Sequence, residues 1–442
     1  MLNESIFKSY DIRGIYPGEL NEETAKKIGQ AFVNKTGARK IAVARDGRLS
    51  SEALSKALVE GILSQGADVY EIGQAPTEAL YFSVGFYGDI DAGIMITASH
   101  NPKEYNGFKL VEKKGNRVDV IRGKDLLEFV KKDADDKGKG KVVKKDIWKD
   151  YSSYIFSKVD ASAVKPLKVV VDASNGMAGK AISIIKSKIP IEIIEINFNI
   201  DGNFPSHSPN PLVKGSINQI SQAVKDKGAD FGCVFDGDGD RVFLIDEKGI
   251  MVPADITLLF LAKYFLENNF GASISYNVIC SKAVPQFIKK WGGKPIKTKV
   301  GFVNVREGIM KNDGIMGGEL SGHYCFKDFF YFDSGIIAFL SLLKVISESG
   351  KKVSEMAKEL SIYFKASEMN FEIKDKDEVL EKIKKKYADG EQNYLDGITV
   401  EYKDWWFNVR ASNTEPVLRL TIEADTKEIL EEKQKELISF IA

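Results

Sequence analysis

Apolar residues along the chain fall into short runs that alternate with longer stretches of helical period. Residues 40–46 (KIAVARD), 67–73 (ADVYEIG) and 91–99 (DAGIMITAS) predict strands. Between them, residues 51–66 (SEALSKALVEGILSQG), capped by Ser50 or Ser51, and 77–88 (TEALYFSVGFYG) predict helices. Strand and helix in alternation predict a mainly parallel sheet. Residues 131–150 (KKDADDKGKGKVVKKDIWKD) are charged and poor in apolar side chains, so the first domain boundary is placed near their end.

The pattern then restarts twice. Residues 167–174, 191–197 and 229–236 predict strands, with helices over 176–187 and 217–228 and a loop rich in Pro and Asn. A third round runs from the helix at 254–268 through strands at 273–281 and 294–301, helical stretches at 283–293 and 303–313, and a strand at 314–320. In each round the strand nearest the end runs into a polar loop: TASHNP, DGDGDR and ELSGH. Ligands of open parallel sheets collect at the carboxyl ends of their strands. From about residue 366 the rhythm changes to strands at 370–375, 397–412 and 416–425 with helices at 377–389 and 426–442, which predicts a small α+β lobe with an antiparallel sheet. The expected fold is therefore α/β: three related mixed α/β domains in series (1–149, 150–250 and 251–365) and a smaller C-terminal α+β domain (366–442).

Bulk properties narrow the partners. The 442 residues carry 63 basic and 63 acidic side chains, so no global field exists to hold nucleic acid or an anionic membrane, and any anion must be caught by a local cluster. The longest greasy stretch, residues 256–266, is too short to span a bilayer and contains Lys263. The N-terminus has Glu4 and no apolar segment of the kind a signal peptide needs, which makes the cytoplasm the expected location. Cys233, Cys280 and Cys325 lie far apart beside apolar residues, as buried reduced thiols do.

The strongest chemical signal is Asp236-Gly237-Asp238-Gly239-Asp240. Two carboxylates about 4 Å apart repel by roughly 4 kcal/mol at an effective dielectric of about 20, and this segment has three such pairs unless they splay into water. Oxygen ligands with no His or Cys select a hard divalent ion, Mg²⁺ first. A calcium loop would use Glu247 as its twelfth residue, but Arg241 stands where that loop needs Gly and the flanks read as strands. A plain Asp-Gly hairpin turn accounts for one Asp-Gly pair and leaves the alternation of three acids unexplained. Ser99 follows an apolar strand and, if phosphorylated, offers an oxygen to the same ion. His100 is adjacent to it, where an extended backbone turns the two side chains apart. On residue types alone, residues 97–102 read more readily as an Asx or Ser/Thr turn than as a catalytic loop.

TASHNP followed by EYNGFK, DGDGDR, GELSGH and RASNTEP, in this order, resembles the α-phosphohexomutase family, in its phosphomannomutase/phosphoglucomutase branch. The similarity runs from SYDIRG at residues 9–14 into the last lobe. It implies a heart-shaped enzyme with a central cleft, which interconverts hexose 6-phosphate and hexose 1-phosphate (mannose or glucose) through a phosphoserine and a hexose 1,6-bisphosphate. By the resemblance, Ser99 carries the phosphate and, with Asp236, Asp238 and Asp240, holds one Mg²⁺. Glu319 and Ser321 meet sugar hydroxyls, and Arg410, Ser412, Asn413 and Thr414 take the second phosphate. Tyr10 and Lys299 line the cleft.

Cations suit a phosphoryl transfer, so Arg13, Lys109 and Arg241 are candidates for charge stabilisation, and His100, His323 and Lys109 for proton transfer. His207 is expected only to line its loop. The expected partners are sugar phosphates, with no nucleic acid and no membrane, and the expected assembly is a monomer or weak homodimer. Leu320, where the glucosamine branch usually has Gln, leans toward neutral hexoses. The alternatives are a phosphoglucosamine mutase, a metal-dependent sugar-phosphate phosphatase and a non-catalytic sugar-phosphate sensor.

Overall fold

The structure, a computed structural model of the chain, describes residues 2–161, 164–412 and 417–441. The chain divides into two compact units, one made of Met1–Val252 and Ser321–Val353, the other of Pro253–Leu320 and Ser354–Ala442.

The first unit opens with a seven-stranded sheet. Ala92–Ile96, Lys40–Arg45, Asp68–Gln74 and Val142–Lys144 run parallel in that order. Tyr105–Lys114 returns antiparallel beside Ala92–Ile96 and pairs on its other side with Ile12–Ile15 and with Arg117–Ile121. The sheet is thus mixed where a mainly parallel one is predicted. The link from Ile96 to Tyr105 is too short to hold a crossover helix, so the following strand can only double back. Val142–Lys144 was hidden in the charged run, and lysines suit an edge strand because they discourage further pairing. Ile41, Val43, Ile94, Ile96 and Phe108 meet Phe32, Leu58 and Ile62 in one buried core.

Helix Glu22–Thr36 starts where the Asn21 side chain accepts from the Thr24 amide at 3.0 Å and stops at left-handed Gly37. Ser50 occupies the cap position of helix Ser51–Leu63, as predicted, but its hydroxyl makes no bond to the helix. Asn106 Nδ2 donates to Ser50 Oγ at 2.8 Å and to Ser51 Oγ at 3.0 Å, and Ser51 Oγ donates to Asp46 Oδ1 at 2.6 Å. Both hydroxyls serve tertiary contacts instead.

A second sheet in this unit has parallel strands Phe231–Phe235, Lys168–Asp172 and Glu192–Ile196, with Val242–Ile245 antiparallel at its edge. Helix Gly335–Ser349 packs on helices Trp148–Lys158 and Ala178–Ile185 and on strand Val242–Ile245. Residues 335–343 are buried on every side, and a polar face shows only in the last turns, at Lys344 and Glu348.

The second unit contains parallel strands Lys294–Thr298, Ser273–Asn277 and Met316–Gly318, with helices Ala254–Glu267, Ala283–Lys290 and Phe302–Lys311. Its C-terminal part is a six-stranded sheet in which Val417–Ala424 and Trp405–Ala411 are the central antiparallel pair, with helices Lys376–Lys386 and Lys427–Ile441. Val400, Phe407, Val409, Leu420 and Ile422 form the core of this predicted meander. Among the described residues, no helix is long and apolar enough to cross a membrane.

Candidate active site

Strand Ala92–Ile96 is wholly buried and ends in a loop that turns back on itself. The Ser99 amide donates to Thr97 Oγ1 at 2.8 Å, and the Asn101 amide donates to the Ala98 carbonyl at 3.0 Å. Ser99 sits in the left-handed region, with φ of 51°. That conformation is uncommon for a residue with a Cβ and marks a position where the surroundings dictate the backbone. It also breaks the alternation of an extended segment. As a result His100 does not turn away from its neighbour: His100 Nδ1 lies 3.2 Å from Ser99 Oγ, which corrects the expectation from sequence.

The acidic triplet occupies the hairpin between strands Phe231–Phe235 and Val242–Ile245. It is a hairpin turn, yet all three carboxylates are buried instead of splayed into water. Asp236 Oδ1 accepts from the amides of Gly239 and Arg241 at 3.1 and 3.3 Å, which winds the loop tightly. One oxygen from each of Asp236, Asp238 and Asp240 lies within 4.8 Å of the others. Ser99 Oγ, 137 positions away in sequence, donates to Asp236 Oδ2 at 3.1 Å.

Cations surround the cluster. Lys109 Nζ lies 2.7 Å from Asp238 Oδ2 and 2.5 Å from Asp240 Oδ2. Arg241 Nε is 3.1 Å from Asp236 Oδ2, its Nη2 donates to Ser99 Oγ at 3.3 Å, and the same nitrogen contacts His100 Nδ1. Arg13 pairs with Asp11 at 2.7 Å and donates to the Ala98 carbonyl at 3.2 Å and to Asn101 Oδ1, so it holds the backbone of the serine loop. Burial pushes the Asp236 carboxyl well up, and the charges of Asp238 and Asp240 add to that. Burial acts on Asp238 in the same direction, but Lys109 outweighs it and holds that carboxyl below the usual range.

The residues fit a hard divalent ion. Among the described residues, Asp238 Oδ1 and Asp240 Oδ1 are buried with no hydrogen-bond donor, and a buried carboxylate oxygen left unmatched is costly unless a cation takes it up. The donors are all oxygen.

His323 turns Nε2 toward Asp240 Oδ1 (3.7 Å) and Asp333 Oδ2 (3.5 Å), while Nδ1 meets Ser321 Oγ at 2.8 Å. The ring thus both orients its loop and faces the acids. Tyr10 is half-buried in the bend ahead of strand Ile12–Ile15. His207 lies in its loop as expected, with Nε2 3.0 Å from Asp172 Oδ2 and Nδ1 2.8 Å from the Ser208 carbonyl.

In the second unit, Lys299 is exposed just past strand Lys294–Thr298. Glu319 is buried, and its Oε2 accepts from the Gly301 amide at 3.0 Å and Asn277 Nδ2 at 3.4 Å. Arg410 is buried and pairs with Glu368 Oε1 at 2.9 Å, and the Ser412 amide donates to the Val417 carbonyl at 2.9 Å. Asn413 and Thr414 lie outside the described residues.

Sequence reasoning missed Thr77, whose hydroxyl donates to Asp238 Oδ2 at 2.5 Å while its amide donates to the Asp238 carbonyl at 3.0 Å. It also missed Asp333. A readable sign existed for Thr77, which opens a helix just beyond the carboxyl end of a parallel strand.

Residues 4–136, 149–249 and 253–363 match the phosphoglucomutase/phosphomannomutase alpha/beta/alpha domains I, II and III, and residues 368–439 match the C-terminal domain of the same family. A phosphomannomutase of Methanocaldococcus jannaschii is 37% identical, over 99% of this chain and 97% of the relative. One from Escherichia coli is 36% identical, over 95% and 94%. The crystal structure of a phosphoglucomutase/phosphomannomutase family protein from Burkholderia thailandensis superimposes with a TM-score of 0.89 at 32% identity, covering 100% of this chain and 98% of the other. Four domain matches in series and full-length relatives carry one conclusion: the chain belongs to the phosphoglucomutase/phosphomannomutase family.

Proposed function

We propose that the chain interconverts hexose 6-phosphate and hexose 1-phosphate, of mannose or glucose, with Ser99 as the carrier of the phosphoryl group. The observation that carries this reading is the 3.1 Å contact between Ser99 Oγ and Asp236, which joins a serine hydroxyl to a buried acidic triplet across two separate sheets. Relatives named phosphomannomutase along the full length support the substrate class.

In this reading the bond from phosphorus to Ser99 Oγ breaks as phosphorus bonds to a sugar hydroxyl oxygen, and the hydroxyl proton passes to a nearby base. The hexose 1,6-bisphosphate so formed turns over and returns its other phosphoryl group to Ser99. Asp236, Asp238 and Asp240 would hold Mg²⁺, which supplies charge neutralisation at the phosphoryl group. Arg241 and Lys109 bring positive charge to the Ser99 hydroxyl and the triplet, and Arg13 fixes the loop between them, so charge spreading over the phosphoryl oxygens meets donors already in place. His323 and His100 are the candidates to take and return the proton, since their ring nitrogens lie beside the acids and beside Ser99 Oγ. Glu319, Ser321, Lys299, Tyr10 and the Arg410 to Thr414 segment are assigned to the sugar and its second phosphate.

A coupled assay with mannose 1-phosphate, glucose 1-phosphate and glucosamine 1-phosphate, each with catalytic hexose 1,6-bisphosphate and Mg²⁺, tests this. Conversion of the two neutral sugars to 6-phosphates is expected, and Ser99→Ala is expected to lower turnover by about 10⁴-fold or more. Release of inorganic phosphate without any 6-phosphate would overturn the reading in favour of hydrolysis.

A further inference from the structure

Arg48 lies outside the motifs that carry the family resemblance, yet among the described residues it is one of the largest fully buried side chains. It follows strand Lys40–Arg45 at the carboxyl end. Its guanidinium makes five hydrogen bonds: Nε to Asp46 Oδ2 at 3.1 Å, Nη1 to the carbonyls of Pro102 and Tyr105 at 2.6 and 3.0 Å, and Nη2 to the carbonyls of Ser99 and Asn101 at 2.8 and 2.6 Å. That uses every N–H the group possesses. Asp46 Oδ1 accepts from the Arg48 amide at 3.0 Å and from Ser51 Oγ at 2.6 Å, so the one carboxylate that balances the charge is itself pinned. The Phe204 ring lies 5.1 Å from the guanidinium carbon.

Four carbonyls of one short loop therefore converge on one cation. Burying a charge for this purpose is expensive, and an ordinary surface loop would give the same carbonyls to water. What the arrangement secures is the position of the Ser99 carbonyl. A Cβ placed on Gly237, between the first two metal-loop acids, would lie 2.7 Å from that oxygen and 3.0 Å from Pro209 Cβ, so Ser99 and the acidic hairpin touch backbone to backbone. The Gly237 amide is in turn held by the Pro209 carbonyl at 3.1 Å. The oxygen that Arg48 grips is the contact point between the two loops that share the site.

We propose that Arg48, oriented by Asp46, is a positioning residue for phosphoryl transfer: by gathering the carbonyls of residues 99–105 it sets Ser99 Oγ in register with the acidic triplet. The inference rests on Ser99 being the phosphoryl carrier. Lysine can supply the charge but only a single nitrogen, so it cannot span four carbonyls. Arg48→Lys is thus expected to keep the fold, the affinity of the triplet for Mg²⁺ and KM within roughly threefold, while kcat falls about 100-fold, the scale of a small misplacement of a reacting group. Hydrogen exchange in the segment 97–106 should speed up, with 231–245 unchanged, a readout that does not depend on activity. Asp46→Asn keeps a hydrogen-bond acceptor at Oδ1 but loses the charge, and should show the same kcat-against-KM split at about tenfold.

An Arg48→Lys protein with native kcat, or one in which KM rises alone, would overturn the proposal. Should Arg48→Lys fail to fold, Asp46→Asn decides, and a native kcat there counts against it equally. A wild-type chain inactive in the mutase assay would instead sink the functional reading, while the exchange experiment still reports on the loop.

Discussion

Lys109 shares one ammonium between Asp238 and Asp240, both buried, and so stands where positive charge is most needed when no metal ion is bound. Burial disfavours its charge, but the two carboxylates outweigh that and raise its pKa. Lys109→Met leaves those acids without their cation, at a cost of about 3–5 kcal/mol in chelator. Mg²⁺ should restore more of the melting temperature in the variant than it adds to the native chain; equal shifts in differential scanning fluorimetry would contradict this. Asp238→Asn and Asp240→Asn remove charge at the orphaned oxygens, and each is expected to weaken Mg²⁺ binding by about 10-fold or more, read by calorimetric titration. At this scale the acids themselves were legible, because three carboxylates in alternation call for a cation unless the fold lets them splay into water. That Lys109 and Thr77 serve Asp238 was not, since nothing near either residue in sequence points to a partner more than a hundred positions away.

The elements are tied together by buried polar groups that no periodicity reveals. Glu78, in helix Thr77–Phe86, accepts from Tyr151 in helix Trp148–Lys158, from Ser334 Oγ at 2.8 Å and from the Ile336 amide at 3.2 Å at the start of helix Gly335–Ser349. Burial pushes its carboxyl up to about 7, and the hydrogen bonds that favour the ionised form do not overcome it. A carboxyl raised in the folded state stays protonated while the unfolded chain ionises, so folding loses stability as pH rises from the ordinary value near 4.5 to about 7. The loss amounts to about 3 kcal/mol by linkage. Glu78→Gln should therefore melt with the native protein near pH 4.5 and above it at pH 7.5, and parallel curves across this range would refute the argument. Element type was readable wherever a pattern had one apolar face or one short apolar run, as in Lys40–Arg45 and Glu192–Ile196. Helix Gly335–Ser349 was not anticipated, and Val142–Lys144 escaped because an edge strand needs few apolar residues.

For the whole molecule the chain path matters: residues 321–353 return to the unit built by the first 252. Within it, the Val242 amide donates to the Gly322 carbonyl at 3.2 Å, and Gly335 lies against the Gly239 carbonyl. A fragment ending at residue 252 would expose the sheet and helix faces that helix Gly335–Ser349 covers, so it is expected to give no cooperative thermal transition, whereas the full chain does. A sharp transition from that fragment alone would show that the returning segment is dispensable. The run of domains, the strand ends that carry polar loops and the identity of the acids could be read from the residues alone, because apolar period and like-charge crowding are local properties. The mixed first sheet, the left-handed turn at Ser99 that brings His100 with it, the grip of Arg48 on the serine loop and the pairing of Lys109 with Asp238 and Asp240 needed the fold, since they depend on which distant groups come within hydrogen-bond reach.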